Sequence, residues 1–81
     1  MNPQRLRWRC RRGLRELDLL LTGYLDYGYR ESAPEEKERF QRLLETADVL
    51  LWGYFFQDQP PGDPQFAKLI QHIRGAAAPH P

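Results

Sequence analysis

A single cysteine and two histidines, in a chain of 81 residues, exclude several kinds of protein at once. Cys10 has no partner for an intramolecular disulfide, the staple on which small secreted domains usually depend. Cys10, His72 and His80 stand far apart, without the close spacing of a zinc site. No stretch approaches the ~18 consecutive apolar residues that would cross a bilayer. There is no Gly-x-Ser-x-Gly, no P-loop and no Gly-x-Gly-x-x-Gly after a strand. Glu16 and Asp18 are two residues apart and point away from each other on a helix, so they do not form a working carboxylate pair. A nucleophilic Cys10 would gain from the arginines beside it, but its possible bases lie on a C-terminal helix and in the tail. Cys10 reads instead as a small buried hydrophobe. Self-contained catalysis is not expected, nor is a metal or cofactor of the chain's own.

Acid is missing from the first fifteen residues. They carry Arg5, Arg7, Arg9, Arg11, Arg12 and Arg15, a charge of +6, whereas residues 16–81 hold six basic and eleven acidic side chains, a charge of −5. A molecule polarised in this way offers a positive patch to nucleic acid, to a phosphorylated cofactor or to an acidic protein face. The basic segment lacks serine and would remove part of the only core available, which argues against a cleaved presequence and for a reducing cytoplasm. The length allows one domain. Its composition, 41% hydrophobic and 28% charged, is that of a globular protein, neither disordered nor membranous.

Apolar residues recur at helical spacing throughout. Asn2-Pro3 reads as a cap and first-position proline for a helix over 3–12, with Leu6 and Cys10 inward and Arg11 and Arg12 in its last turn. Gly13 fits the left-handed residue that ends such a helix. A second helix over 14–27 buries Leu14, Leu17, Leu21, Tyr24 and Leu25, with Leu20 widening that face and Leu19 outside it. Ser32-Ala33-Pro34-Glu35 has the form of a capping box for a third helix to 45, burying Phe40, Leu43, Leu44 and Ala47. Thr46 is placed to cap a fourth helix over 47–56 that supplies much of the aromatic mass. Gln59-Pro60-Pro61-Gly62 breaks the chain, and Asp63-Pro64 starts a fifth helix with Phe66, Leu69, Ile70 and Ile73 inward, stopped by Gly75. The expected fold is all-α, a single-domain bundle of five short helices over residues 1–75, with 76–81 a frayed tail. No exposed apolar heptad calls for a dimer, so a monomer is expected.

The candidate site is Arg12-Gly13-x-x-Glu16. With Gly13 between two helices, the amides that open the second helix face outward beside Arg12 and Arg15, a place for an anion. Gly13 would let another backbone or a cofactor approach, and Glu16 would accept bonds from a partner. The plainer alternative makes Gly13 a helix stop, Glu16 a helix-end carboxylate and Arg12 a solvated cation. Trp8, among arginines, is either a stacking platform or a rim over the core. Trp52 and its neighbours read as core.

These residues resemble a known family. Trp8-x-Cys10-Arg11-Arg12-Gly13-x-Arg15-Glu16-Leu17-Asp18 is similar to the signature of the small FAD assembly factors of succinate dehydrogenase, the SdhE-like family. The likeness continues through Glu36-Lys37, Phe40, Arg42-Leu43-Leu44-Glu45 and Asp48-Val49-Leu50-Leu51-Trp52 to Leu69-Ile70, about residues 5–73. It implies a five-helix fold and a protein that binds the flavoprotein subunit of succinate dehydrogenase, or of fumarate reductase, and promotes covalent attachment of FAD to a histidine there. On this resemblance FAD belongs to the client, and direct contact with it is open. The contact motif is Arg12, Gly13 and Glu16, with Arg11, Arg15, Asp18 and Trp8 beside it. Gly53-Tyr54 departs from the leucine-rich continuation of relatives, which bears on the packing of the fourth helix. The long N-terminal extension of mitochondrial members is absent, which implies a bacterial, cytoplasmic protein. Two other functions compete: a basic-patch nucleic-acid-binding module, weakened by the lack of a recognition helix and the acidic remainder, and an antitoxin-like regulator, a role described for some members of the family.

Overall fold

Three helices open on proline, whose fixed φ suits the first helical position and whose missing N–H is no loss there. In a computed structural model, which describes residues 3–77, these are α1 (Pro3–Arg9), α3 (Pro34–Leu43) and α5 (Pro64–Ala77). α2 (Arg15–Tyr27) and α4 (Asp48–Phe56) complete five helices, and a single 3-10 turn, Tyr29–Glu31, follows α2. Among the described residues there is no strand. The all-α, five-helix expectation holds. The Asn2 cap, His80 and residues 78–81 of the expected tail lie outside the described residues.

The core is built where helical spacing placed it. Leu6 and Cys10 come from the first segment, Leu17, Leu21 and Tyr24 from α2, and Phe40, Leu43 and Leu44 from α3 and its end. Leu51 and Phe55 of α4 meet Leu69, Ile70 and Ile73 of α5, and α2 makes its most extensive packing with α5. Tyr24, Tyr29 and Phe40 form an aromatic cluster with ring centroids 4.9 to 6.3 Å apart. Full burial of each such side chain contributes roughly 1.5–3 kcal/mol. Two expected core residues are solvent-facing instead: Leu14, which caps α2, and Ala47, which caps α4.

Helix ends depart from expectation for identifiable reasons. α1 stops at Arg9 rather than residue 12. Its last turn tightens through bonds from the Cys10 amide to Arg7 O and from the Arg11 amide to Trp8 O, 3.1 Å each, and the Arg12 amide leaves for the Asp18 carboxylate. Gly13 is left-handed, φ 83°, but it bends a connection rather than ending a helix. Ser32 and Thr46 are not caps; those positions fall to Ala33 and Ala47, neither with a side-chain cap bond. Asp63, by contrast, does cap, accepting the Gln65 amide at 2.9 Å. α5 continues through Gly75, which has open space around it, so the tail expected from residue 76 is still helical at Ala77. Gly53 is buried under the folded-back side chain of Gln59, where a Cβ would meet Gln59 Cδ at 3.1 Å. This glycine lets the break after α4 pack onto the helix.

Candidate partner-binding site

The connection between α1 and α2 turns on one side chain. Arg12, only 15% exposed, reaches away from its own segment: Nη2 donates to Leu44 O at 2.7 Å and to Thr46 O at 2.8 Å. Nε lies 3.1 Å from Asp48 Oδ1, an ion pair off the hydrogen-bonding direction. Leu44 follows the last residue of α3, where carbonyls lack intrahelical donors, so a guanidinium satisfies them and meets the negative end of the dipole. Arg74 does the same for α4, donating to Tyr54 O and Phe55 O. Arg12 is therefore neither the solvated cation nor the outward anion clamp of the two sequence readings; it ties the 11–14 connection to the α3–α4 corner.

Asp18 completes the turn. Its Oδ1 accepts the Arg12 amide at 2.6 Å, which folds the connection back over the first turn of α2. Gly13 supplies the left-handed residue this requires, and its missing Cβ faces open space. What remains is displayed. Glu16, Arg11 and Arg15 are exposed and form no hydrogen bond or ion pair with the described residues. Arg11, Gly13, Arg15, Asp18, Leu19 and Thr22 line an open depression of ≈ 370 Å³. Trp8 is 79% exposed, so it does not roof the core. Of the seven candidate residues, the structure thus turns Arg12 and Asp18 inward as braces and leaves Trp8, Arg11, Gly13, Arg15 and Glu16 on the surface.

The remaining chemistry is structural. Cys10 is fully buried, and burial pushes its thiol up to about 11, which fits the buried hydrophobe expected and not a nucleophile. Arg7 pairs with Asp26 of α2, so Arg7, like Arg12 beside Asp48, has a carboxylate of the chain itself as counter-ion. No group of three potential metal ligands exists among the described residues, and none of the described helices is long and apolar enough to cross a membrane. The partners of Arg12 escaped the sequence because they lie 32 to 36 positions away and two are backbone carbonyls.

Comparison with known proteins adds a second line. A family model described as "Flavinator of succinate dehydrogenase" matches residues 4–77. The chain is 42% identical to the FAD assembly factor SdhE of Shewanella oneidensis, over 98% of this chain and 96% of that protein. It is 37% identical to the protein of the same name from Coxiella burnetii, over 88% and 87% of the two chains. With the one from Idiomarina loihiensis it shares 40% identity over 89% and 80%. These names describe assembly and not a catalyst. No solved structure matches the chain.

Proposed function

The chain belongs to the family of flavinators of succinate dehydrogenase, and from that premise we propose that it is a non-catalytic assembly factor which binds the flavoprotein subunit of succinate dehydrogenase and promotes covalent attachment of FAD. The observation that carries this reading is the division within the motif. Arg12 and Asp18 are spent on holding the connection, and the side chains they hold out, Glu16 and Arg15 beside Gly13, have no internal partner. Charged groups left without an internal partner suit recognition of another protein. The depression at the motif is an open surface feature lined by Arg11, Arg15 and Asp18, which suits contact with another protein. In this reading FAD is the client's group, and the chain contributes by holding the flavoprotein in a competent arrangement, an effect of positioning.

A nucleic-acid role gains nothing from the geometry. Arg7 and Arg12 are paired with carboxylates, and Glu16 stands among the remaining cations.

The test is co-expression with the flavoprotein subunit, scoring covalent flavin by fluorescence of the denatured subunit. Glu16→Ala is expected to abolish the stimulation. Gly13→Arg should do the same while keeping the helical circular dichroism, since the space around Gly13 is open and a left-handed non-glycine costs roughly 1–2 kcal/mol. Gly13→Asn, which tolerates that conformation with less bulk, should retain part of the activity. Normal flavinylation with both Glu16→Ala and Gly13→Arg would remove the motif from the mechanism.

A further inference from the structure

A stable protein–protein interface takes roughly 20–30 residues from each side. Residues 8–18 are eleven, and two of them, Cys10 and Leu17, are fully buried. A flavoprotein seated on this segment must therefore also touch its neighbours, and Arg12 decides which they are. Its bonds to Leu44 O, Thr46 O and Asp48 hold the first turn of α4 against the connection. The two residues after Asp48 are apolar and face solvent: Val49 is 76% exposed and Leu50 40%. On the other side of Arg12, Leu14 is also exposed.

We infer that the first turn of α4, through Val49 and Leu50, is a second half of the docking surface, joined to the motif by Arg12. This rests on the reading above. The occupant is the flavoprotein subunit, presenting an apolar side chain to Val49 and Leu50 next to carboxylates for Arg11 and Arg15, two exposed cations of the motif that have no internal counter-ion among the described residues. Charge and apolarity alternate here within a few residues, and Glu16 and Asp48 interrupt the positive field. That mixture suits a protein face, with its apolar centre and charged rim, and not a phosphate backbone, which rewards continuous positive charge.

The experiment measures the affinity of purified full-length protein for the purified flavoprotein subunit, with thermal unfolding of each variant. Val49→Glu places an acid in the first turn of α4, where the helix dipole favours it, so the fold should be kept. It is expected to weaken binding at least tenfold. Val49→Ser, which adds no charge, should weaken it about threefold and serves if the glutamate variant unfolds. Lys68→Glu, at the His72 and Glu36 end of the molecule, is expected to bind as wild type. If Gly13→Arg abolishes binding while both Val49 variants bind as wild type, the extension onto α4 is overturned and the assembly role stands. Equal weakening by Lys68→Glu also overturns the extension, because the effect would then follow charge and not place. If the wild-type protein binds an oligonucleotide and no flavoprotein, both readings fall.

Discussion

The two ends of α3 are each fixed by a polar network, and they differ in what they leave over. At its N-terminal end the Glu36 carboxylate receives Tyr24 Oη at 2.8 Å and Ser32 Oγ at 2.7 Å on one oxygen, and His72 Nδ1 lies 2.6 Å from the other. Ser32 Oγ is also 2.8 Å from Gly28 O. The network joins α2, α3 and α5 and consumes nearly every polar atom it contains. At the other end Arg12 ties the connection to α4, yet Glu16, Arg15 and Arg11 stay unpaired among the described residues and Val49 and Leu50 stay uncovered. One network is closed on itself; beside the other, apolar side chains stay uncovered. Uncovered apolar side chains beside unpaired charges are the combination that the proposed docking of a partner would use.

Breaking the brace tests this most severely. Arg12→Ala removes two charge-assisted hydrogen bonds and one member of an ion pair, leaving the carbonyls at the end of α3 without their donor. The expected loss is about 3 kcal/mol in urea unfolding. For a domain of this size that corresponds to a fall in Tm of about 15 °C. Arg12→Lys should recover less than half, because one ammonium cannot serve the two carbonyls and also lie beside Asp48, as Nη2 and Nε do together.

At the closed end the effect is smaller and depends on pH. Burial acts to raise the Glu36 pKa, but hydrogen bonds from Ser32, Tyr24 and His72 outweigh it and hold the group below its ordinary value. A depressed folded pKa contributes stability that is fully present above the unfolded value, about 4.3. That contribution is lost as pH falls through the lower folded value. Glu36→Gln should destabilise the protein by about 1–2 kcal/mol at neutral pH. The acid limb of its stability curve should be shallower than that of wild type, measured as Tm between pH 3 and 7. Flavinylation at neutral pH should be unchanged, which would separate this end from the open one.

Much of this was legible beforehand, because helical spacing reports burial through residues three and four apart. Leu6, Cys10, Leu17, Leu21, Phe40 and Leu43 were placed inward from that pattern alone and are inward. α4 was harder. Its residues from Val49 to Phe56 are apolar nearly all round, so periodicity cannot say which of them face solvent, and Val49, Leu50 and Phe56 do. The motif was visible as a motif, but its division of labour was not. Arg12 and Glu16 are equally charged letters four apart, and what separates them is a corner of the chain more than thirty residues away. Capping failed for a similar reason: Ser32 has the spacing of a cap, but Tyr24 of α2, the Gly28 carbonyl and the Glu36 carboxylate claim its hydroxyl.

The smallest expected change in stability is the most informative about function. Glu16 is exposed in the first turn of α2, where its charge is mildly favourable to the helix dipole and its carboxylate bonds to none of the described residues. Glu16→Ala should therefore move the unfolding free energy by less than about 0.5 kcal/mol. If the open end exists for a partner, this nearly silent change should cost client binding more than Arg12→Lys does, although Arg12→Lys costs far more stability. The order of the two variants by Tm and by affinity would then be reversed. A single order in both measurements would mean that the connection works only by being folded, and the distinction between a braced surface and a recognising one would not hold.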